Sequence, residues 1–170
     1  MPDASPLTRL QREIDARVGS IRESRPDWLC GKGCDHCCRR LAEIPQLTVA
    51  EWALLQEGLA ALAPEHRREI GRRISALAAQ PARPVICPLL DQASGACPVY
   101  VQRPVACRTY GFYVQRELGL YCHDIESRVA DGTLGDVVWG NHDAIDRQLA
   151  GLGASRPLTA WFADWENRPD

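Results

Sequence analysis

The residues with the clearest chemistry are eight cysteines in a chain of 170 residues. Four of them lie within one short stretch, and four follow after a long gap: Cys30, Cys34, Cys37 and Cys38, then Cys87, Cys97, Cys107 and Cys122. Thiolates are soft ligands for zinc and iron, and close spacing lowers the entropic cost of assembling a tetrahedral site from one loop. The sequence therefore predicts a metal site whose candidate ligands are these eight cysteines.

Disulfides are the main alternative to metal ligation. The first residues lack the basic and apolar regions of a secretory signal, and no apolar run reaches the length of a membrane span. We therefore expect a cytoplasmic, reducing environment, in which clustered cysteines are more often metal ligands or catalytic thiols than bridges. Redox thiols, and cysteines packed as small apolar residues, stay open as further alternatives.

Ligand number leaves the type of centre open. Seven or eight cysteines exceed the four of one tetrahedral site, so two mononuclear sites, a polynuclear cluster or one site with spare thiols all fit. Three histidines could replace a cysteine: His36, His123 and His142. Basic side chains beside the cysteines could offset the thiolate charge: Lys32, Arg39, Arg40, Arg103 and Arg108.

Charge limits the classes of partner. The formal net charge is −2, and the basic residues, all arginine except Lys32, are scattered along the chain. This distribution is not that of a nucleic-acid footprint or of a basic membrane-binding face. We expect a metal ion as the principal partner, and a protein partner is also compatible with the sequence.

Most of the chain outside the cysteine-rich region shows helical periodicity. Apolar residues at three- and four-residue steps predict an amphipathic helix over residues 6–24, ended by Arg25-Pro26. Thr48 and Glu51 have the spacing of a capping box and begin a predicted helix over 48–62. Pro64 opens a further amphipathic helix, so residues 48–79 predict a helical hairpin.

Residues 80–125 are predicted to be irregular, because their prolines exclude long helices. Pro104 is expected to open a short helix that carries Cys107, and Asn141 to cap a later one. The predicted fold is mainly α, a small single domain over 1–170 with helices around an irregular cysteine-rich metal-binding core. The metal-binding region covers 30–122, and the flanking helices cover 1–25 and 141–166.

Four short motifs together resemble a known family. They are Cys30-x3-Cys34-x2-Cys37-Cys38, Cys87-Pro88-Leu89-Leu90, Gly95-Ala96-Cys97-Pro98-Val99-Tyr100 and Arg103-Pro104-Val105-Ala106-Cys107-Arg108. In this order they resemble the YkgJ-like cysteine-cluster family, also called the CxxCxxCC or zinc- or iron-chelating domain. The resemblance implies a bacterial, cytoplasmic metal-binding domain whose ligands would be every cysteine except Cys122, which lies beyond the motifs.

Three function classes follow, in descending order of preference. The first is a zinc-binding module with a structural, interaction or metal-handling role, and the second is an iron–sulfur protein that supports redox chemistry or electron transfer. The third is a zinc hydrolase, although thiolate-rich sites are usually closed to substrate. Its acid–base candidates would be Asp35, Glu43 and Asp124. The sequence does not decide whether the protein is an enzyme.

Overall fold

The computed structural model describes residues 4–167, and this part of the chain is mainly helical, as predicted. It contains eight α-helices: α1 (Pro6–Ser24), α2 (His36–Arg39), α3 (Val49–Ala60), α4 (Pro64–Leu77), α5 (Val105–Thr109), α6 (His123–Ala130), α7 (His142–Ala150) and α8 (Leu158–Glu166). It also contains five short strands: β1 (Gln46–Leu47), β2 (Tyr113–Gln115), β3 (Leu118–Leu120), β4 (Gly140–Asn141) and β5 (Arg156–Pro157). Residues 1–3 and 168–170 of the predicted domain and its flanks lie outside the described residues.

The chain divides into two compact units, each built from two separate segments. Unit 1 comprises Met1–Cys34 and Val105–Leu152, and unit 2 comprises Asp35–Pro104 and Gly153–Asp170. That residues 1–170 form one domain stays a prediction.

In unit 1, α1 follows the predicted bounds. Ser5 caps its first turn by accepting a hydrogen bond from the Thr8 amide (3.1 Å), and Pro6 occupies the first helical position. The helix packs against α5 and α7. Its buried face is the predicted apolar stripe: Leu7, Leu10, Ile14, Val18 and Ile21.

The remainder of unit 1 contains structure that the sequence analysis left irregular. Strand β2 pairs antiparallel with β3 and parallel with β4, so 113–120 is a hairpin within a small sheet. Helix α6 begins at His123 and buries Ile125. Helix α7 begins at the predicted cap, because Asn141 Oδ1 accepts from the Ala144 amide (3.3 Å). The short helix expected after Pro104 is α5, but the prediction that the rest of 80–125 is irregular was wrong for the hairpin.

Unit 2 is organised around one apolar core. Helices α3, α4 and α8 contribute its buried side chains, together with loop residues and the pairing of β1 with β5. The core comprises Leu47, Trp52, Leu55, Leu59, Ile70, Ile74, Leu89, Val99, Leu158 and Phe162. The helices predicted over 48–62 and from Pro64 are confirmed, and both bury side chains in this core.

The capping box predicted at the start of α3 is present and buried. Glu51 Oε2 accepts hydrogen bonds from the Thr48 amide and hydroxyl, both at 2.9 Å, while Thr48 Oγ1 accepts from the Glu51 amide (3.4 Å). A buried carboxylate with these partners keeps its polar atoms satisfied. The box therefore fixes where α3 enters the core of unit 2.

Across residues 4–167, every helix is too short or too polar to cross a lipid bilayer.

Candidate metal centre

The two units share the eight cysteines equally. Unit 1 holds one set of four and unit 2 the other: Cys30, Cys34, Cys107 and Cys122, and Cys37, Cys38, Cys87 and Cys97. All eight are free thiols, and Cys107 is exposed while the other seven are half-buried. The boundary between the units falls inside the 30–38 motif, which therefore supplies two cysteines to each unit.

In unit 2, the single turn of α2 presents two adjacent thiols. Cys37 Sγ and Cys38 Sγ lie 4.0 Å apart. Arg39 holds the turn in place. Its Nε donates to Asp35 Oδ2 (2.6 Å) across the turn, and its guanidinium also donates to the carbonyl of Gln92 (3.0 Å). Helix α2 therefore begins at His36, two residues after Cys34.

Backbone pairing brings the third cysteine to this turn. Leu41 and Val85 exchange both hydrogen bonds of an antiparallel bridge, at 2.9 and 2.8 Å. Next to this bridge, the Cys87 amide donates to the carbonyl of Cys38 (2.7 Å). Because the pairing fixes the register of the two segments, Cys87 lies opposite the Cys37-Cys38 pair.

A tight loop returns the chain to the fourth cysteine. The Asp91 carboxylate accepts from the Ala93 amide (3.0 Å) and the Ser94 hydroxyl (2.8 Å), and the Asp91 amide donates to the Ala96 carbonyl (2.9 Å). Gly95 adopts a φ of +72°, which favours glycine. The eleven residues from Cys87 to Cys97 are therefore closed into a loop by local hydrogen bonds.

Packing supports the same arrangement. Cys87 and Cys97 both pack against the apolar core of unit 2. Leu89 and Val99, each two residues after a cysteine, are themselves part of that core. Two of the four thiols are thus held by side-chain burial that does not depend on a bound ion.

The adjacent thiols of Cys37 and Cys38 resist ionisation when no cation is present. The hydrogen bond with Cys38, together with burial, raises the pKa of the Cys37 thiol far above its usual range. The hydrogen bond with Cys37 lowers the pKa of Cys38. The bond to Cys87, burial and the nearby thiols of Cys87 and Cys97 outweigh this effect, so the pKa of Cys38 is raised to about 12. Negative charge is therefore unfavourable here by itself, and a bound divalent cation would reverse that preference.

The sulfur atoms are not yet at coordination distances. Within neither unit, among the described residues, do three cysteine sulfurs all lie within 4.8 Å of one another. Tetrahedral zinc with four sulfur ligands has Zn–S distances of about 2.3 Å, which puts its sulfurs about 3.8 Å apart. A bound ion would therefore draw the side chains inward by rotamer changes and small loop shifts.

In unit 1 the cysteines come from three parts of the chain. Cys30 and Cys34 flank a turn in which the Cys34 amide donates to the Gly31 carbonyl (3.0 Å). Cys107 lies in α5, and Cys122 is the residue that caps α6. The Cys30 thiol lies 3.7 Å from the carbonyl oxygen of Tyr110, just after α5.

A family comparison matches most of this cysteine-rich region. The sequence model of the CxxCxxCC family, described as a proposed zinc- or iron-chelating domain, matches residues 29–126. The chain belongs to the CxxCxxCC family. No curated protein and no solved structure gives a significant match. The donor chemistry of both four-cysteine sets fits the description of the family, since thiolates suit zinc and iron alike.

The CxxCxxCC match also extends beyond the motifs that the sequence analysis used. It includes all eight cysteines, Cys122 among them, whereas the resemblance placed Cys122 beyond the family pattern. Helices α1, α7 and α8 lie outside the match. The whole cysteine set therefore belongs to the CxxCxxCC region, and the flanking helices are additions to it.

The basic residues beside the cysteines have different roles. Arg103 stacks on the Tyr100 ring, and its charge lowers the pKa of Cys97, although burial raises that pKa by more. Arg39 pairs with Asp35, and buried Arg108 pairs with Asp15 (3.2 Å). Lys32 and Arg40 are exposed. Arg103 thus acts on a thiol as expected, while Arg39 and Arg108 chiefly stabilise the local backbone and α1.

Several of the other candidate ligands and acid–base groups pair with a charged neighbour. His123 Nδ1 lies 3.5 Å from Glu126 and His142 Nδ1 lies 3.3 Å from Asp146, each within its own helix. Exposed His36 stands on α2. Two of the acids form ion pairs, Asp35 with Arg39 and Glu43 with Arg83, while the Asp124 carboxylate lies within 4.8 Å of Cys122 Sγ.

Sequence reasoning missed one residue that shapes the cysteine surroundings in unit 1. Gly111 has a φ of +90°, and a Cβ atom there would lie 2.8 Å from Cys30 Sγ. Aromatic rings follow it: Phe112 stacks on Trp28, with ring centroids 5.7 Å apart, and Trp28 contacts Trp139 (5.5 Å). A glycine that follows a cysteine helix and precedes an aromatic residue is the signal that could have indicated this contact.

Unit 1 also contains an open cleft of about 490 Å³ that holds no cysteine. It is lined by side chains of α1 and of the sheet region, among them Glu13, Arg17, Ser20, Tyr113, Trp139 and Asn141. Burial raises the pKa of the Tyr113 phenol, and the Glu13 carboxylate adds to this effect. No motif in the sequence marks these residues, because they come from three separate segments.

Proposed function

We propose that this protein is a zinc-binding module whose cysteine thiolates hold the ion and whose bound metal organises the surrounding loops. The observation that carries the proposal is the convergence of Cys37, Cys38, Cys87 and Cys97 within unit 2. They come from a helical turn and from both ends of a loop. A bound ion would tie these elements to each other. All eight cysteines are retained as candidate ligands.

The donor set supports zinc with a structural role. Four thiolates around Zn²⁺ form a closed site with a net charge of −2, which leaves no open position for a substrate. Zinc also tolerates small adjustments of its ligands, because it has no geometric preference from d-electrons. The Arg103 guanidinium, which lies close enough to act on Cys97, would offset part of the negative charge.

The proposal places the protein in a reducing, cytoplasmic environment, where clustered thiols stay available as ligands. A structural zinc module of this kind stabilises a surface that other molecules can recognise. Protein partners and a metal-handling role are therefore included in the proposal.

Elemental analysis of freshly purified protein is the direct test. We expect at least one equivalent of zinc per chain, retained through gel filtration in metal-free buffer. The matched variant is Cys37→Ser/Cys87→Ser, which should retain at least one equivalent less than the wild type. A total of zinc and iron below about half an equivalent in the wild type would reject metal binding as the function.

An iron–sulfur centre is the second candidate, and the family description favours it because it names iron beside zinc. Cysteine thiolates hold both types of centre. Anaerobically purified protein that is brown, and whose visible absorption bleaches on reduction, would place this candidate first. Colourless protein with a full complement of zinc would exclude it.

A further inference from the structure

We propose that the open cleft of unit 1 binds a small zwitterion that carries an aromatic ring, the chemistry of a free aromatic amino acid. The inference goes beyond metal binding, because the cleft holds no cysteine and all of its lining residues belong to unit 1. Its volume of about 490 Å³ lies within the range of small-molecule sites in proteins. Two opposite charges on α1 and two aromatic rings from the sheet region carry the proposal.

The two charged residues that line the cleft are Glu13 and Arg17, both on α1. They are four residues apart with the acid first, which is the order that favours an ion pair along a helix. Within residues 4–167, however, they form no ion pair, and Glu13 instead accepts hydrogen bonds from Gln148 Nε2 of α7 (3.2 and 3.5 Å). A neutral amide leaves the carboxylate charge in place, so both charges are available to a ligand.

This pair of charges selects a zwitterion. A ligand with only a carboxylate would bind the Arg17 guanidinium but be repelled by Glu13, and a ligand with only an ammonium group would meet the reverse. One molecule that carries both groups satisfies both side chains. Guanidinium binds carboxylate through two parallel hydrogen bonds, which also fixes the orientation of the ligand.

Two aromatic side chains supply the apolar part of the cleft, Tyr113 of β2 and Trp139 just before β4. The Trp139 ring is fixed by its neighbours, since its centroid lies 5.5 Å from that of Trp28 and 5.2 Å from that of Tyr121. Aromatic rings pack favourably against a further ring. The surface for an aromatic ligand is therefore held in place before binding, which lowers the entropic cost of binding.

Small residues leave room for the ligand. Ala16, Gly140 and Ala144 line the cleft between the charged and the aromatic side chains. Gly140 lies opposite Tyr113 in the parallel pairing of β2 with β4, and a Cβ atom at position 140 would lie 2.3 Å from the Tyr113 ring. The Tyr113 ring therefore lies directly over the glycine, where a larger residue would displace it.

Two neutral groups add hydrogen-bond donors. The charges of Glu13 and Arg17 both act on the Tyr113 phenol, and burial with Glu13 raises its pKa, so the phenol keeps its proton at neutral pH. Asn141 Oδ1 accepts from the Ala144 amide (3.3 Å), which leaves the side-chain NH₂ group as a donor. Both donors suit the oxygens of a carboxylate.

NMR titration of isotope-labelled full-length protein tests the site with three probes. The chain has five tryptophans, and Trp139→Phe identifies which indole signal belongs to Trp139. Free phenylalanine should shift this signal saturably, with a Kd of about 1 mM or tighter. Phenylacetate lacks the ammonium group and phenethylamine lacks the carboxylate, so each should bind at least about tenfold more weakly.

Variants of the two charged residues test their separate roles. Arg17→Gln should weaken phenylalanine and phenylacetate at least about tenfold and leave phenethylamine unchanged. Glu13→Gln should weaken phenylalanine and phenethylamine and leave phenylacetate unchanged. Arg12→Gln and Glu23→Gln are the matched controls, because they remove exposed charges of α1 that do not line the cleft, and both should bind like the wild type.

A cleft-filling variant gives an independent test. Ala16 is exposed on α1, so Ala16→Leu adds volume to the cleft without entering the apolar core. It should abolish the shift of the Trp139 signal, while circular dichroism stays unchanged. Its zinc content should equal that of the wild type, because the cleft holds no cysteine.

The outcomes separate this inference from the proposed function. The ligand site is overturned by the absence of a saturable Trp139 shift with phenylalanine, or by binding that survives in Ala16→Leu. The zwitterion is overturned if either analogue binds as tightly as phenylalanine, or if Arg17→Gln or Glu13→Gln weakens all three probes equally. Wild-type protein without metal overturns the proposed function, and the titration still decides the ligand.

Discussion

The cysteines of the two units have the same chemistry but different support. In unit 2, Cys87 and Cys97 rest against a core of ten buried side chains, and backbone pairing aligns Cys38 with Cys87. In unit 1, Cys30 rests on a glycine backbone and Cys107 is exposed. Cysteines of one chain can thus be packed against an apolar core in one unit and exposed to solvent in the other. Metal loss should therefore have a structural cost mainly in unit 2.

The largest expected effect comes from the core-supported set. Cys87→Ser should destabilise the zinc-loaded protein by about 3 kcal/mol or more, because it removes a ligand and leaves the 87–97 loop without its ion. For a chain of this size that corresponds to a fall in Tm of about 6–12 °C. Cys107→Ser is the matched change in unit 1 and should cost less than a third of this. If thermal melts show the same fall in Tm for both variants, the expected difference between the two units is wrong.

Proton competition gives the next largest effect. The raised pKa values of Cys37 and Cys38 mean that both thiols keep their protons at neutral pH until a metal displaces them. Each displaced proton weakens apparent affinity about tenfold for each unit of pH lowered, so two thiols give at least about 100-fold between pH 8 and pH 7. Chelator competition on Cys107→Ser/Cys122→Ser isolates unit 2. If the logarithm of the apparent zinc affinity changes by one or less per pH unit, the expectation is contradicted.

A glycine tests the support of Cys30 in unit 1. Gly111→Ala should cost about 2 kcal/mol, because it combines a positive φ with a contact of 2.8 Å to the Cys30 thiol. Gly132→Ala is the control, since its φ of +81° carries the same backbone cost but nothing lies within 4 Å. Chemical denaturation measures both variants. The contact has no effect on Cys30 if the two variants are equally stable and retain equal zinc.

The smallest expected effect concerns the helix caps. Thr48→Ala should destabilise unit 2 by about 1 kcal/mol, because the buried Glu51 carboxylate and the Glu51 amide each lose a partner. Thr48→Ser keeps the hydroxyl and is the control. Ser5→Ala removes the exposed cap of α1 in unit 1 and should cost less, which denaturation in urea would show. A larger cost for Ser5→Ala would reverse the order of the two caps.

Local signals explain what the sequence predicted well. The bounds of α1, the Thr48–Glu51 capping box and the Asn141 cap each depend on residues within one or two turns of the chain. Such signals need no knowledge of distant segments. The helices over 48–62 and from Pro64 were predicted correctly for the same reason, since helical spacing by itself separates the buried face from the exposed one.

Long-range pairing explains what the sequence analysis missed. Strands β2 and β3 have three residues each, and Arg116 at their turn takes a φ of +53°, a conformation usually marked by glycine or asparagine. The parallel partner of β2 is β4, more than twenty residues further on. Likewise, the closely spaced cysteines of 30–38 read as one chelate, and only the fold shows that the chain passes from unit 1 to unit 2 after Cys34.

The discontinuous course of the two units has a consequence for synthesis on the ribosome. Cys122 is the last cysteine to be translated, yet the core of unit 2 still awaits Leu158 and Phe162 of α8, and α1 in unit 1 awaits its contact with α7. Every thiol therefore leaves the ribosome before either unit can close. During that interval the nascent cysteines are exposed to oxidants and to metal ions, because neither unit yet shields them.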